Sequence, residues 1–132
     1  HFLVRAFQAD GMDEFLAHLT TIEAALGLQA DYNRSLRITP DRQKKLGATK
    51  KVAGRLAGLL GDKQLADSYQ RLFDKRSAYL HGRSMSVISS EEQKVARSLA
   101  RKVAYALART TQQVSSREKF LDDLLGKGIA LQ

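Results

Sequence analysis

Ser89-Ser90-Glu91-Glu92-Gln93-Lys94-Val95-Ala96-Arg97-Ser98-Leu99-Ala100-Arg101-Lys102-Val103-Ala104-Tyr105-Ala106-Leu107 is the stretch whose reading decides the fold. It opens with a capping box, in which the Ser89 hydroxyl accepts from the amide three residues on and Glu92 reaches back to the Ser89 amide. Val95, Leu99, Val103, Ala106 and Leu107 then recur at helical steps, which predicts a helix running to about Val114. Lys94, Arg97, Arg101 and Lys102 fall elsewhere on its surface.

The same periodicity extends in both directions, and no stretch alternates or carries the β-branched runs of a strand. A short helix is expected from Phe2 to Gln8, and a second one, opened at Gly11, carries Phe15, Leu16, Leu19, Ile22, Glu23 and Leu26 before Gly27 ends it. Residues 28 to 39 read as a loop. Thr39-Pro40-Asp41 then supplies an N-cap, a first-turn proline and an acid for a third helix from Pro40 to Leu60. That helix is expected to bury Leu46, Val52, Leu56, Leu59 and Leu60 and to expose Arg42, Lys44, Lys45, Lys50 and Lys51, and with Arg55 these cations form a basic set that wraps around several faces. After a turn at Gly61-Asp62, a fourth helix carries Leu65, Tyr69, Leu72, Phe73, Tyr79 and Leu80 and stops at Gly82. Ser115 to Glu118 reads as a second capping box before a last helix with Phe120, Leu121, Leu124 and Leu125, stopped by Gly126 and Gly128. The expectation is an all-α chain, one compact bundle of five or six helices over residues 1–132, with no internal repeat and no linker. Because the sequence starts at His1 and not at Met, it is expected to be a piece of a longer protein, with a further domain or partner outside it.

Composition narrows the chemistry. The absence of cysteine excludes disulfides, thiolate metal sites and a Cys nucleophile, and is compatible with a reducing, cytoplasmic setting. No signal peptide or membrane span is visible, because Arg5, Gln8 and Asp10 interrupt the apolar N-terminal run. The 22 Lys and Arg against 14 acids make a net charge of +8, which favours polyanionic partners and RNA or DNA first among them. An excess of solvated Lys and Arg also simply keeps a protein soluble. The few aromatics fall mostly on core stripes, leaving no platform for stacked bases, so contact through phosphates is expected. No phosphate-binding Gly-rich loop, zinc helix motif or nucleophile elbow occurs, and neither a metal nor a cofactor is called for.

Two charged residues fall on faces that the periodicity buries. Glu23 follows Leu16 and Leu19 and precedes Leu26; Arg76 follows Leu65, Tyr69 and Leu72 and precedes Tyr79. An unpaired buried charge costs several kcal/mol, so each requires a partner or a wet pocket. Mutual pairing satisfies both. The alternative is that Glu23 orients Arg76 toward a bound phosphate. His81 lies five residues beyond Arg76, about 140° round an ideal helix, so the two side chains converge only if the helix ends between them. Alone, such a His before Gly82 is a helix-end cation stabilised by the macrodipole.

The Arg76-x4-His81 spacing at a helix end of a basic bundle resembles the signature of the HEPN superfamily. The closer likeness is to its Apea-like group, since Leu19 to Leu26 looks like the acid-bearing second helix and Arg76-Ser77-Ala78-Tyr79-Leu80-His81-Gly82 looks like the Arg-Ser-x-x-x-His-Gly element. The resemblance implies metal-independent RNA cleavage in a cleft between two copies of the domain, as in effectors of phage-defence or toxin-like systems. It gives Arg76 the role of stabilising phosphate charge and His81 that of moving protons, with Glu23, Ser77 and Gly82 in support. Lys44, Lys45, Lys50, Lys51 and Arg83 would hold RNA. Ser77 stands where many active members carry Asn, Asp or His, and Arg83 where a toxin subgroup carries Tyr. Many members of the superfamily are non-catalytic modules that bind RNA or nucleotides or dock a partner, which is the second function the resemblance allows.

Overall fold

In the computed structural model, which describes residues 2–31, 46–80, 88–110 and 116–131, every regular element is helical. The elements are α1 (Phe2–Leu26), a single 3-10 turn (Gln29–Asp31), α2 (Ala48–Leu60), α3 (Lys63–Leu80), α4 (Ser90–Arg109) and α5 (Arg117–Ala130). They form the expected all-α bundle. Among the described residues no helix is long and apolar enough to cross a membrane.

The core forms where the apolar stripes meet. Phe15, Leu19, Ile22 and Leu26 of α1 follow one another at steps of four and three, and all are sealed from solvent. They pack with Val52 and Leu56 of α2, Tyr69 and Leu72 of α3, Leu99 and Val103 of α4, and Leu121 and Leu124 of α5. The Ser89 capping box is present in full: the Glu92 amide donates to the Ser89 hydroxyl at 3.1 Å, and the Ser89 amide donates to the Glu92 carboxylate at 3.0 Å. Gly61 adopts φ +66° after α2, a left-handed conformation suited to glycine, and its amide donates to the Ala57 carbonyl.

Several boundaries differ from the sequence reading. Gly11 does not open a helix; α1 runs through it without a break. One interior glycine costs only about 1 kcal/mol relative to alanine, which a long packed helix absorbs. The third predicted helix does not continue from Pro40 through to Leu60, because Gly47 is extended (φ −74°, ψ 171°) and caps α2 there. Pro40, Val114 and Ser115 lie outside the described residues, and the cap of α5 is Ser116, whose hydroxyl accepts from the Lys119 amide. On α4 the buried stripe is Ala96, Leu99, Ala100 and Val103, while Val95 keeps 38% of its surface exposed. Leu99 and Val103 are buried and Leu107 packs against the core as expected, while the small Ala96 and Ala100 take the buried places next to them in which Val95 was expected.

Gly126 and Gly128 do not stop the last helix either. A Cβ on Gly128 would lie 1.8 Å from the Gly54 carbonyl oxygen, and one on Gly58 would lie 2.0 Å from that of Leu124. Helices α2 and α5 therefore cross backbone to backbone, through Gly54 and Gly58 on one and Gly128 on the other. Gly128→Ala and Gly58→Ala are each expected to force the helices apart and to lower stability by about 3 kcal/mol or more, measured by thermal or urea unfolding.

Candidate functional site

Helix α3 carries Arg76 in its last turns, on the side turned toward α1, where Glu23 comes one turn before the end of its helix. The Arg76 Nη1 donates to Glu23 Oε1 at 2.7 Å, and the two side chains retain equal exposures of 21%. The guanidinium carbon also sits 5.5 Å from the centroid of the Phe73 ring, one turn earlier on α3, where the ring face attracts a cation. The ring and the carboxylate together hold the Arg76 head in one orientation at the rim of the core. Ser77, beside it, is half-buried. His81, Gly82, Arg83, Lys44 and Lys45 lie outside the described residues.

Of the RNA-binding lysines named from the sequence, Lys50 is exposed, but Lys51 is not, retaining only 4% of its accessible surface. Arg55, the last of the basic set on this helix, is 1% exposed. The helical face of Val52, Leu56 and Leu59 includes position 55, so this arginine points into the bundle. There its Nη1 and Nη2 donate to Asp31 Oδ2 at 2.6 Å and Oδ1 at 2.8 Å. The same Nη1 donates to the Leu26 carbonyl at 2.8 Å, and Asp31 Oδ2 also accepts from the Leu28 amide at 2.9 Å. Sequence reasoning missed this pair because Asp31 sits in a segment without periodicity. The available signal is an arginine at a core register position, the same signal that singles out Arg76.

A third arginine completes the arrangement. Arg117, at the first position of α5, donates through Nη2 to the carbonyls of Ala24 and Gly27 at 2.8 Å and of Ala25 at 3.3 Å. Arg55 from α2, Arg76 from α3 and Arg117 from α5 thus converge on the end of α1. Helix ends of this polarity expose carbonyls without partners and carry partial negative charge, so cations are favoured there.

A separate cluster ties α1 to α4 at the surface. Glu14 accepts from Arg97 Nε at 3.0 Å and Nη2 at 2.6 Å and lies 3.2 Å from His18 Nε2. These bonds, chiefly that from Arg97, hold the Glu14 carboxyl below its usual range. At Glu92, burial pushes the carboxyl up, but bonds from Lys75, 2.7 Å away, and from Ser89 outweigh it and bring the net shift down. Among the described residues no cluster of His, Asp and Glu could hold a metal ion. No protein-family model, curated protein or solved structure matches the chain.

Two expectations follow. Asp31→Asn removes the charge that compensates a sealed guanidinium and is expected to lower stability by about 3 to 5 kcal/mol, whereas a paired Asp31→Leu/Arg55→Met replacement recovers much of that loss. Denaturant titrations of the three proteins measure it. Glu14 and Glu92 have depressed values in the folded chain, so their contribution is complete above the ordinary value of 4.5 and disappears as pH falls through the lower folded values. A Glu14→Gln/Glu92→Gln variant is expected to have a flatter stability profile than the parent below about pH 4.5.

Proposed function

We propose that the chain is a metal-independent endoribonuclease domain of the Arg-x4-His type, resembling the Apea-like HEPN group, that acts in the cytoplasm as a dimer in a phage-defence or toxin-like system. The observation that carries this reading is the 2.7 Å ion pair between Glu23 and Arg76. These two residues stand 53 positions apart, in the two blocks that carry the resemblance, and they meet with the guanidinium fixed by a carboxylate and an aromatic ring.

In this reading Arg76, held by Glu23, stabilises the charge that develops on the phosphoryl oxygens. His81 accepts the proton of the ribose 2′-hydroxyl as its oxygen attacks phosphorus, and a protonated His81, its own or that of a second copy, donates to the departing 5′-oxygen. The P–O5′ bond breaks, leaving a 2′,3′-cyclic phosphate and a 5′-hydroxyl. The dimer brings two Arg-His pairs to one cleft and raises the local positive potential.

A second reading, a non-catalytic module that binds RNA or a nucleotide or docks a partner, is favoured by the degree to which Arg76 is already engaged. With Glu23 and Phe73 as its neighbours, its guanidinium has partners without any ligand. The two readings separate experimentally. Under the first, the chain cuts RNA in excess EDTA, and Arg76→Ala and His81→Ala each lower the rate by about a hundredfold or more. Under the second, RNA binds without cutting, and Arg76→Ala chiefly destabilises the fold, by about 1 to 3 kcal/mol, because Glu23 is left without its cation. Undiminished cleavage by both variants overturns the nuclease assignment.

A further inference from the structure

We propose that the outward face of α4 is a docking surface for single-stranded RNA, with Arg101, Lys102 and Arg109 on phosphates and Tyr105 under a base. This deepens the proposed function and rests on reading the chain as an RNA-acting domain; it names a surface distinct from the Arg76 end of α3.

The residues concerned are open to solvent. Arg101, Lys102, Tyr105 and Arg109 are all exposed, and they occupy one side of the helix at steps of three and four. Arg97 is committed to Glu14 and Lys94 lies 3.6 Å from Glu91, but Arg101 and Lys102 form no ion pair among the described residues. The only acids of α4 are Glu91 and Glu92, in its first turn, so its C-terminal half carries three cations and no carboxylate of its own. Ala104 and Ala108, exposed beside Arg101 on the same surface, leave room for a backbone to approach the helix.

Tyr105 distinguishes an RNA strand from other anions. It is 64% exposed, the most open of the large hydrophobic side chains described, and this corrects the expectation that the aromatics leave no stacking platform. The Arg109 guanidinium lies 5.3 Å from its ring centroid and donates to its hydroxyl at 3.2 Å, which steadies the ring. An aromatic face bordered by cations is the arrangement that takes an unstacked base and its flanking phosphates, and bases are open to stacking only where the nucleic acid is unpaired. A membrane surface fits less well, because the apolar residues Ala96, Leu99, Ala100 and Val103 of α4 are turned into the core. A second copy placed face to face would oppose like charges.

The test uses the whole chain and a labelled 2′-O-methyl uridine oligonucleotide of about twelve nucleotides, which lacks the 2′-hydroxyl needed for cleavage. Affinity is followed by fluorescence anisotropy over a range of salt. Arg101→Ala/Lys102→Ala is expected to reduce the slope of log affinity against log salt by about 1.4, or about 0.7 for each phosphate that is no longer neutralised. Tyr105→Ala is expected to weaken binding about tenfold with the slope unchanged. All three side chains are exposed, so unchanged melting curves establish that the fold persists. Parental affinity and slope in both variants overturn the proposal, as does failure of the parent chain to bind. So does tighter binding to a polyglutamate peptide, retained in Tyr105→Ala, which identifies an acidic polypeptide as the occupant. Binding that depends on α4 without any cleavage of ordinary RNA removes the nuclease reading and leaves this surface standing.

Discussion

The end of α1 is the constraint on which the remaining structure depends. A helix that stops inside a bundle leaves carbonyl oxygens that need donors, and here the donors are arginines from other helices. Arg55 of α2 reaches the Leu26 carbonyl and clamps Asp31 in the turn that follows, while Arg117 of α5 covers Ala24 and Gly27. Arg76 of α3 adds a bond to the Glu23 side chain. One helix end thereby holds three others in register. A buried bidentate pair contributes little net free energy compared with an apolar replacement, but it fixes where α2 and the turn sit relative to α1.

The close crossing of α2 and α5 serves the same geometry. Glycines at positions 54, 58 and 128 let the two backbones touch, and that approach sets α5 beside α2, with Arg117 at its start within reach of α1. A bulkier crossing would carry Arg117 away from its carbonyls. Small residues and arginines thus perform linked tasks, the first setting distance and the second supplying donors.

This arrangement redistributes the net charge of +8. Lys51, Arg55 and most of Arg76 are withdrawn from solvent, and Arg97 and Arg117 are engaged at the surface with a carboxylate and with carbonyls. Among the described residues, the cations without an ion pair include Arg101 and Lys102 in the C-terminal half of α4, beside an open tyrosine that Arg109 touches. Electrostatic attraction for a polyanion therefore belongs to part of the surface, and a count of Lys and Arg overstates its extent.

The helical class, the Ser89 capping box, the turn at Gly61-Asp62 and the pairing of Glu23 with Arg76 were all legible in the amino-acid sequence, because each follows from spacing along one helix or from the cost of burying a lone charge. The continuity through Gly11 and Gly128 was not: one glycine within a long helix reads as a break, and a glycine that ends a helix looks like one that admits a neighbouring backbone, as Gly128 does, until the neighbour is present. Nor was the fate of Lys51 and Arg55, whose residue types indicate solvent although their register points inward. Local periodicity by itself determined what kind of elements form and which two charges, on buried faces, need partners. Only the tertiary structure decided which arginines serve the fold and which stay exposed at the surface, because that depends on where carbonyls, carboxylates and glycines of distant segments come to lie.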